Sequence, residues 1–244
     1  MPIEDDLVQR TLAELSAALV RLERRPEAAA VAAARGLLDR AYRRHLGVAG
    51  EVVRRLPSDQ LLAVISTTGR VDGERAFLTA ALIEVDAAMP GGEGASPPAG
   101  GDTAPAPSAG EATAVSSADG AARAPLLKLR ALDLYTEAGV ARVGVADLPE
   151  RVRRLRAALL EHLLPEASYG RLLRYFVHEG RFAAAEDLLF EWLEEHGATP
   201  TLRAAGEGLY DDLEAESDER LLAGELPRDE LAEGRAMFRR SCGG

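Results

Sequence analysis

The chain has 244 residues and a net charge of −11, and its residues are 47% apolar but only 5% aromatic. That length can bury a sizeable core, and an Ala-, Leu- and Val-rich mixture suits helices packed through small and straight side chains better than sheets. No run approaches the roughly 18 uninterrupted apolar residues of a membrane span, and the acidic start MPIEDDLVQR is unlike a secretory or transit leader. Cys242 is the single cysteine, so no internal disulfide can form and the expected setting is the cytoplasm.

The charge is uneven. Residues 1–89 carry 13 acids and 12 bases, residues 90–160 eight of each, and residues 161–244 carry 19 acids against nine bases. The C-terminal third thus repels nucleic-acid phosphates and anionic membranes, so neither is expected as a partner. Lys128 is the sole lysine among 29 basic residues; a GC-rich coding bias explains this, and selection of arginine for bidentate contacts is the alternative.

In chain order, Val8, Leu12, Leu15, Leu19 and Leu22 alternate spacings of four and three, which predicts a first helix. Pro26 breaks it and opens a second, where Val31, Ala34, Leu38 and Ala41 repeat the pattern up to Gly47. Ser58 is placed to cap a third helix, carrying Leu61, Leu62 and Ile65 and stopping near Gly69. A fourth runs through Ala76, Phe77, Ala80, Leu82 and Ile83 to about Met89. These four are expected to pair as antiparallel hairpins, forming a region 1–89.

From Pro90 to Ala124 the chain is rich in Pro, Gly, Ser and Ala and nearly free of bulky apolar residues. It cannot bury enough surface to offset its ordering entropy, and it reads as a disordered linker over 90–124. The following lobe, 125–244, opens with Leu126, Leu127, Leu129, Leu132 and Leu134, a helix expected to close at Gly139. Asp147 to Glu150 has capping-box spacing and introduces a helix with Val152, Leu155, Leu159 and Leu163 on one face. Pro165 precedes a helix with Leu172, Leu173, Phe176 and Val177. Gly180 turns the chain into another, in which Ala185, Leu188, Leu189, Trp192 and Leu193 form one wide apolar face. Thr199 and Pro200 start the next helix, and ELPRDELAEG supplies a last one. No strand is expected: the fold class is all-α.

Tyr169, Leu172, Leu173 and Phe176, then Gly180 and Phe182, then Ala185, Leu189 and Trp192 resemble one tetratricopeptide unit. Leu173 and Trp192 are bulkier than that pattern usually has, which implies wider helix spacing. The segments Tyr175 to Glu195 and Tyr210 to Gly234, ending in Leu226, Pro227, Arg228, Glu230, Glu233 and Gly234, resemble an uncharacterised bacterial family of the domain-of-unknown-function type with a tetratricopeptide-like helical centre. That resemblance implies a fold and no activity, cofactor or substrate. In tetratricopeptide arrays the first helix of each unit lines the binding surface. Carried onto this chain, that implies Ala167, Gly170, Arg174, Val177 and His178 as partner-facing positions, with Arg174 and His178 four apart and able to share a peptide carboxylate.

No catalytic or metal constellation is expected. His45, His162, His178 and His196 are scattered, and neither a phosphate-cradling glycine loop nor a GxSxG elbow occurs. Cys242 falls in a tail expected to fray. The acidic run Glu207, Asp211, Asp212, Glu214, Glu216, Asp218 and Glu219 reads as a solvated helix face, and Ser217 as a cap. Arginines cluster at 21, 24 and 25, at 40, 43 and 44, and at 151, 153, 154 and 156, where helix dipoles and solubility account for them, with an anionic ligand or acidic partner as the alternative. The expected role is a non-catalytic helical module that binds a protein or peptide without a cofactor. Self-association is possible through small-residue helices such as EAAAVAAARGLL. A helical small-molecule or anion sensor, and an enzyme with an unrecognised site, are the alternatives.

Overall fold

The computed structural model describes residues 27–89 and 111–243, with Ala13, Ala17 and Val20 as isolated positions before them. The first predicted helix and residues 90–110 of the predicted linker lie outside the described residues. Among the described residues are eleven helices and one two-stranded hairpin, so the fold is all-α apart from four strand residues. Chain contacts divide it into two compact units, Met1–Leu134 and Tyr135–Gly244.

In the first unit, α1 (Ala28–Leu46) buries Ala34, Leu38, Ala41, Tyr42 and Leu46, a repeat of three and four that lines one face. It ends at Gly47, whose φ of 74° is a left-handed cap, and the Gly47 N–H donates to the Arg43 carbonyl at 3.0 Å. A short α2 (Gly50–Arg55) follows, too brief for its periodicity to stand out. In α3 (Ser58–Ile65) the N-cap is Pro57, and Ser58 is the first helical residue without a side-chain cap bond. The helix stops at Ile65 instead of running toward Gly69. The chain then forms β1 (Ser66–Thr67) and β2 (Arg70–Val71), antiparallel with Ser66 opposite Val71. Thr68 and Gly69 have φ of 55° and 79°, the pair of positive values a tight two-residue hairpin turn needs. The expectation of no strand is corrected here: TG supplied the turn signal, but the strands are too short to alternate. Asp72 then caps α4 (Gly73–Ala88), accepting from the Arg75 N–H at 3.1 Å. Its buried face, Ala76, Leu78, Ala80, Ala81, Leu82 and Ile83, packs on α1.

The helix α5 spans Glu111–Val140, so it begins inside the stretch that composition assigned to the linker. The division between the two units falls inside it. Gly139 does not close this helix. It is buried against the Tyr175 ring, where a Cβ would collide, and Arg142 at φ 62° makes the left-handed turn instead.

In the second unit, α6 (Leu148–Ala157) starts at Asp147, which makes no capping bond; its carboxylate accepts from Arg151 Nε at 2.7 Å. The helix ends after Ala157, before the apolar face predicted for it is complete. The turn that follows shifts the pattern by one, so Leu164 is buried and Leu163 is not. Next come α7 (Glu166–His178) and α8 (Phe182–His196), joined at Gly180. Tyr169, early in α7, stacks on Trp192 with centroids 5.7 Å apart and meets His196 edge-on, both late in α8. The two helices are therefore antiparallel, with Phe176 and Trp192 buried. Thr199 caps α9 (Pro200–Glu214), accepting from the Leu202 N–H at 3.2 Å, and Ser217 caps α10 (Asp218–Ala223), accepting from Arg220 N–H at 3.3 Å. The last helix, α11 (Arg228–Cys242), packs on α9 and buries Leu231, Gly234, Phe238 and Cys242. Cys242 is thus held in the packed end of a helix and not in a frayed tail. Two more rings lie on buried glycines: Phe238 on Gly206 and Phe182 on Gly224.

Candidate functional site

The predicted partner-facing residues all lie on α7. Ala167 and Arg174 are exposed, and a Cβ at Gly170 would meet nothing within 4 Å, so positions 167, 170 and 174 form one open stripe at helical spacing. Val177 and His178 continue it one turn on, half-buried. Arg174 is engaged within the chain. Its guanidinium donates to Glu137 Oε1 at 2.5 Å, and the buried Arg171 faces the same oxygen at 3.6 Å. Glu137 therefore occupies the place that a peptide carboxylate would take on Arg174.

Behind this stripe α7 is anchored by a polar network. The Tyr169 hydroxyl shares its one proton between Glu195 at 2.7 Å and Glu191 at 3.1 Å, and Arg156 of α6 pairs with Glu191. Burial, then the Glu195 hydrogen bond, pushes the Tyr169 hydroxyl far above the usual tyrosine range, so it remains a donor. His196 sets a ring nitrogen 2.7 Å from the Leu164 carbonyl, which ties the end of α8 to the connector before α7. That connector, residues 158–165, carries Leu160 at 72% and Leu163 at 66% exposure, between the buried Leu159 and Leu164.

Sequence reasoning missed one feature of the second unit. Glu207, Asp211 and Glu214 of α9 converge on Arg235 of α11 at 2.8, 2.5 and 2.8 Å, and Glu207 also takes Arg239 at 2.7 Å. The acidic face is exposed yet paired. Its signal was present: acids at 207, 211 and 214 and arginines at 228, 235 and 239 each keep helical spacing. The expected dipole and solubility role of Arg151, Arg153 and Arg156 is likewise joined by specific carboxylates, Asp147, Glu150 and Glu191. Arg40, Arg43 and Arg44 are exposed, and Arg21, Arg24 and Arg25 lie outside the described residues.

Among the described residues no group of three or more His, Cys, Asp or Glu side chains is placed to hold a metal ion, and no helix is long and apolar enough to cross a membrane. Burial raises the Cys242 thiol, which disfavours the thiolate. A family model covers residues 3–241, nearly the whole chain. The chain belongs to a family of unknown function, DUF6483. Membership in that family carries no activity with it. No curated protein and no solved structure matches the chain.

Proposed function

We propose that the chain is a non-catalytic cytoplasmic interaction module, with α7 and α8 arranged as a tetratricopeptide-like hairpin that presents a surface to a protein or peptide. The observation that carries this reading is the pair Leu160 and Leu163. Two large apolar side chains stand in solvent on one short connector and lead directly into the open stripe at Ala167 and Gly170. Burying two leucines is worth about 1.5–3 kcal/mol each, which favours a partner that covers them. Capture by a second copy of the chain is the self-association form of the same reading.

The test compares wild type with Leu160→Glu/Leu163→Glu by affinity capture from a native lysate and by light scattering. Wild type is expected to recover a partner or to self-associate, and the double variant to lose it while keeping its helical circular dichroism. A wild-type protein that captures nothing and stays a monomer at all concentrations would end this reading.

A further inference from the structure

Independently of that surface, α1 carries three arginines that no described carboxylate neutralises. Arg40, Arg43 and Arg44 are exposed, and among the described residues none of them takes part in an ion pair. Exposed arginines elsewhere do hold a carboxylate, as Arg55 holds Glu51 and Arg153 holds Glu150. The acid of the same turn, Asp39, faces Arg54 instead, at 3.0 Å. The dipole of α1 favours cations in its last turn, which contains Arg43 and Arg44, but Arg40 stands a turn further in.

Ala29, Ala33, Gly36, Arg40 and Arg44 follow one another at spacings of four and three, so they share one helix face, turned away from the buried Ala34, Leu38 and Ala41. A Cβ at Gly36 would meet only the Arg40 guanidinium, at 3.6 Å, which leaves a shallow seat beside a cation. The complement lies on α11. Asp229, Glu233 and Met237 are exposed and four apart, Met237 at 46%, and no described base pairs with either acid.

Laid antiparallel, the two faces agree in register. Arg44 meets Asp229, Arg40 meets Glu233, and Met237 falls on Gly36 and Ala33. Each step is four residues on both helices, about 6 Å along the axis. Arg40, Arg44, Asp229, Glu233 and Met237 are all open to solvent, so the match is available to a second copy.

We propose that two copies of the chain associate through α1 of one and α11 of the other, antiparallel, with Arg44 and Arg40 on Asp229 and Glu233. The charges fix register and orientation, and Met237 over Gly36 supplies the apolar contact. The two faces differ, so the contact is heterologous: used reciprocally it closes a dimer, and used one way it extends into a longer assembly. A pair of helices about four turns long is small among interfaces, which makes the association weak and transient.

The test is light scattering and sedimentation of the full chain over a concentration series reaching about 1 mM, the range suited to a small interface. Wild type is expected to gain mass with concentration in dilute buffer. It is expected to return to monomer in about 0.5 M sodium chloride, where screening acts over less than about 5 Å. Arg40→Glu/Arg44→Glu and Asp229→Arg/Glu233→Arg are each expected to stay monomeric with unchanged helical circular dichroism. An equimolar mixture of the two is expected to associate, because each supplies the face that the other has lost. That recovery separates a lost contact from a lost fold. Arg153→Gln, which removes an arginine paired with Glu150 on α6, is expected to associate as wild type does. A wild type that is monomeric throughout, or a mixture that is, overturns the contact. Association that salt leaves unchanged belongs to an apolar surface such as Leu160 and Leu163 and overturns it as well.

Discussion

The two units each contain an acid–arginine network, and the two are built in opposite senses. In the first, Arg54 of α2 and Arg123 of α5 hold the carboxylate of Asp86 in α4, whose side chain is 2% exposed. In the second, three solvent-facing carboxylates surround Arg235, and acids outnumber the guanidinium they share. Bond lengths are similar in both, near 2.5–2.8 Å for the closest pairs. What differs is the medium. The central arginines are alike, Arg54 at 16% and Arg235 at 12% exposure, but the carboxylates on Arg235 can readily regain hydration, while Asp86 would be left charged and dry if its arginines were removed. Burial, more than distance, should therefore rank the two networks.

The largest expected effect tests that ranking directly. Arg54→Ala removes the closer of the two arginines on buried Asp86, leaving Arg123 at 3.3 Å, and is expected to cost about 3 kcal/mol in urea unfolding, with little change on adding salt. A loss below about 1 kcal/mol would place the buried network on a par with the exposed one. Arg235→Ala comes next, at about 1 kcal/mol, because it releases three carboxylates that water can solvate. Its cost is expected to shrink in roughly 1 M sodium chloride, where screening acts over about 3 Å; a cost that salt leaves unchanged would show that Arg235 acts through its packing.

The smallest effect is one of pH. Hydrogen bonds from Arg239 and then Arg235 hold the Glu207 carboxyl down to about 2, against about 4.3 in an unfolded chain. The folded value lies below the unfolded one, so the unfolded chain takes up the proton first. The contribution of Glu207 is complete above about pH 5 and is lost as pH falls from there toward 2. Glu207→Gln is expected to flatten the stability profile in that window and to leave its shape above pH 5 unchanged, as acid titration followed by circular dichroism would record.

The same contrast explains how much of the molecule was legible beforehand. The α7–α8 hairpin could be read because its signals are local: a three-and-four repeat around Trp192, a turn glycine at 180, and a hydroxyl at Thr199 before Pro200. The caps at Thr199 and Ser217 followed from residue type alone. Asp86 could not be read, because nothing nearby in sequence distinguishes an acid on a helix surface from one enclosed by residues 37 and 44 positions away. Leu163 misled for a related reason: the helix stops after Ala157, so a periodicity extended past that end assigns the wrong leucine to the interior. The stripe on α7 expected to face a partner was placed by resemblance. Its geometry as an open stripe is visible, but the carboxylate that Arg174 already holds comes from Glu137, a distant residue that no spacing rule connects to it.

The rings resting on Gly139, Gly206 and Gly224 carry a consequence for how this chain can vary. In each case ring carbons occupy the volume in which any larger residue would place its first carbon, and at Gly224 the Gly180 carbonyl oxygen does so as well. A glycine and its ring are therefore one heritable unit: alanine at 206 demands a slimmer residue than Phe238 opposite, and a bulkier ring at 175 has nowhere to go while Gly139 is already the minimum. Change at 139 and 206 must come together with the ring opposite, while 224 is closed by backbone as well as by Phe182.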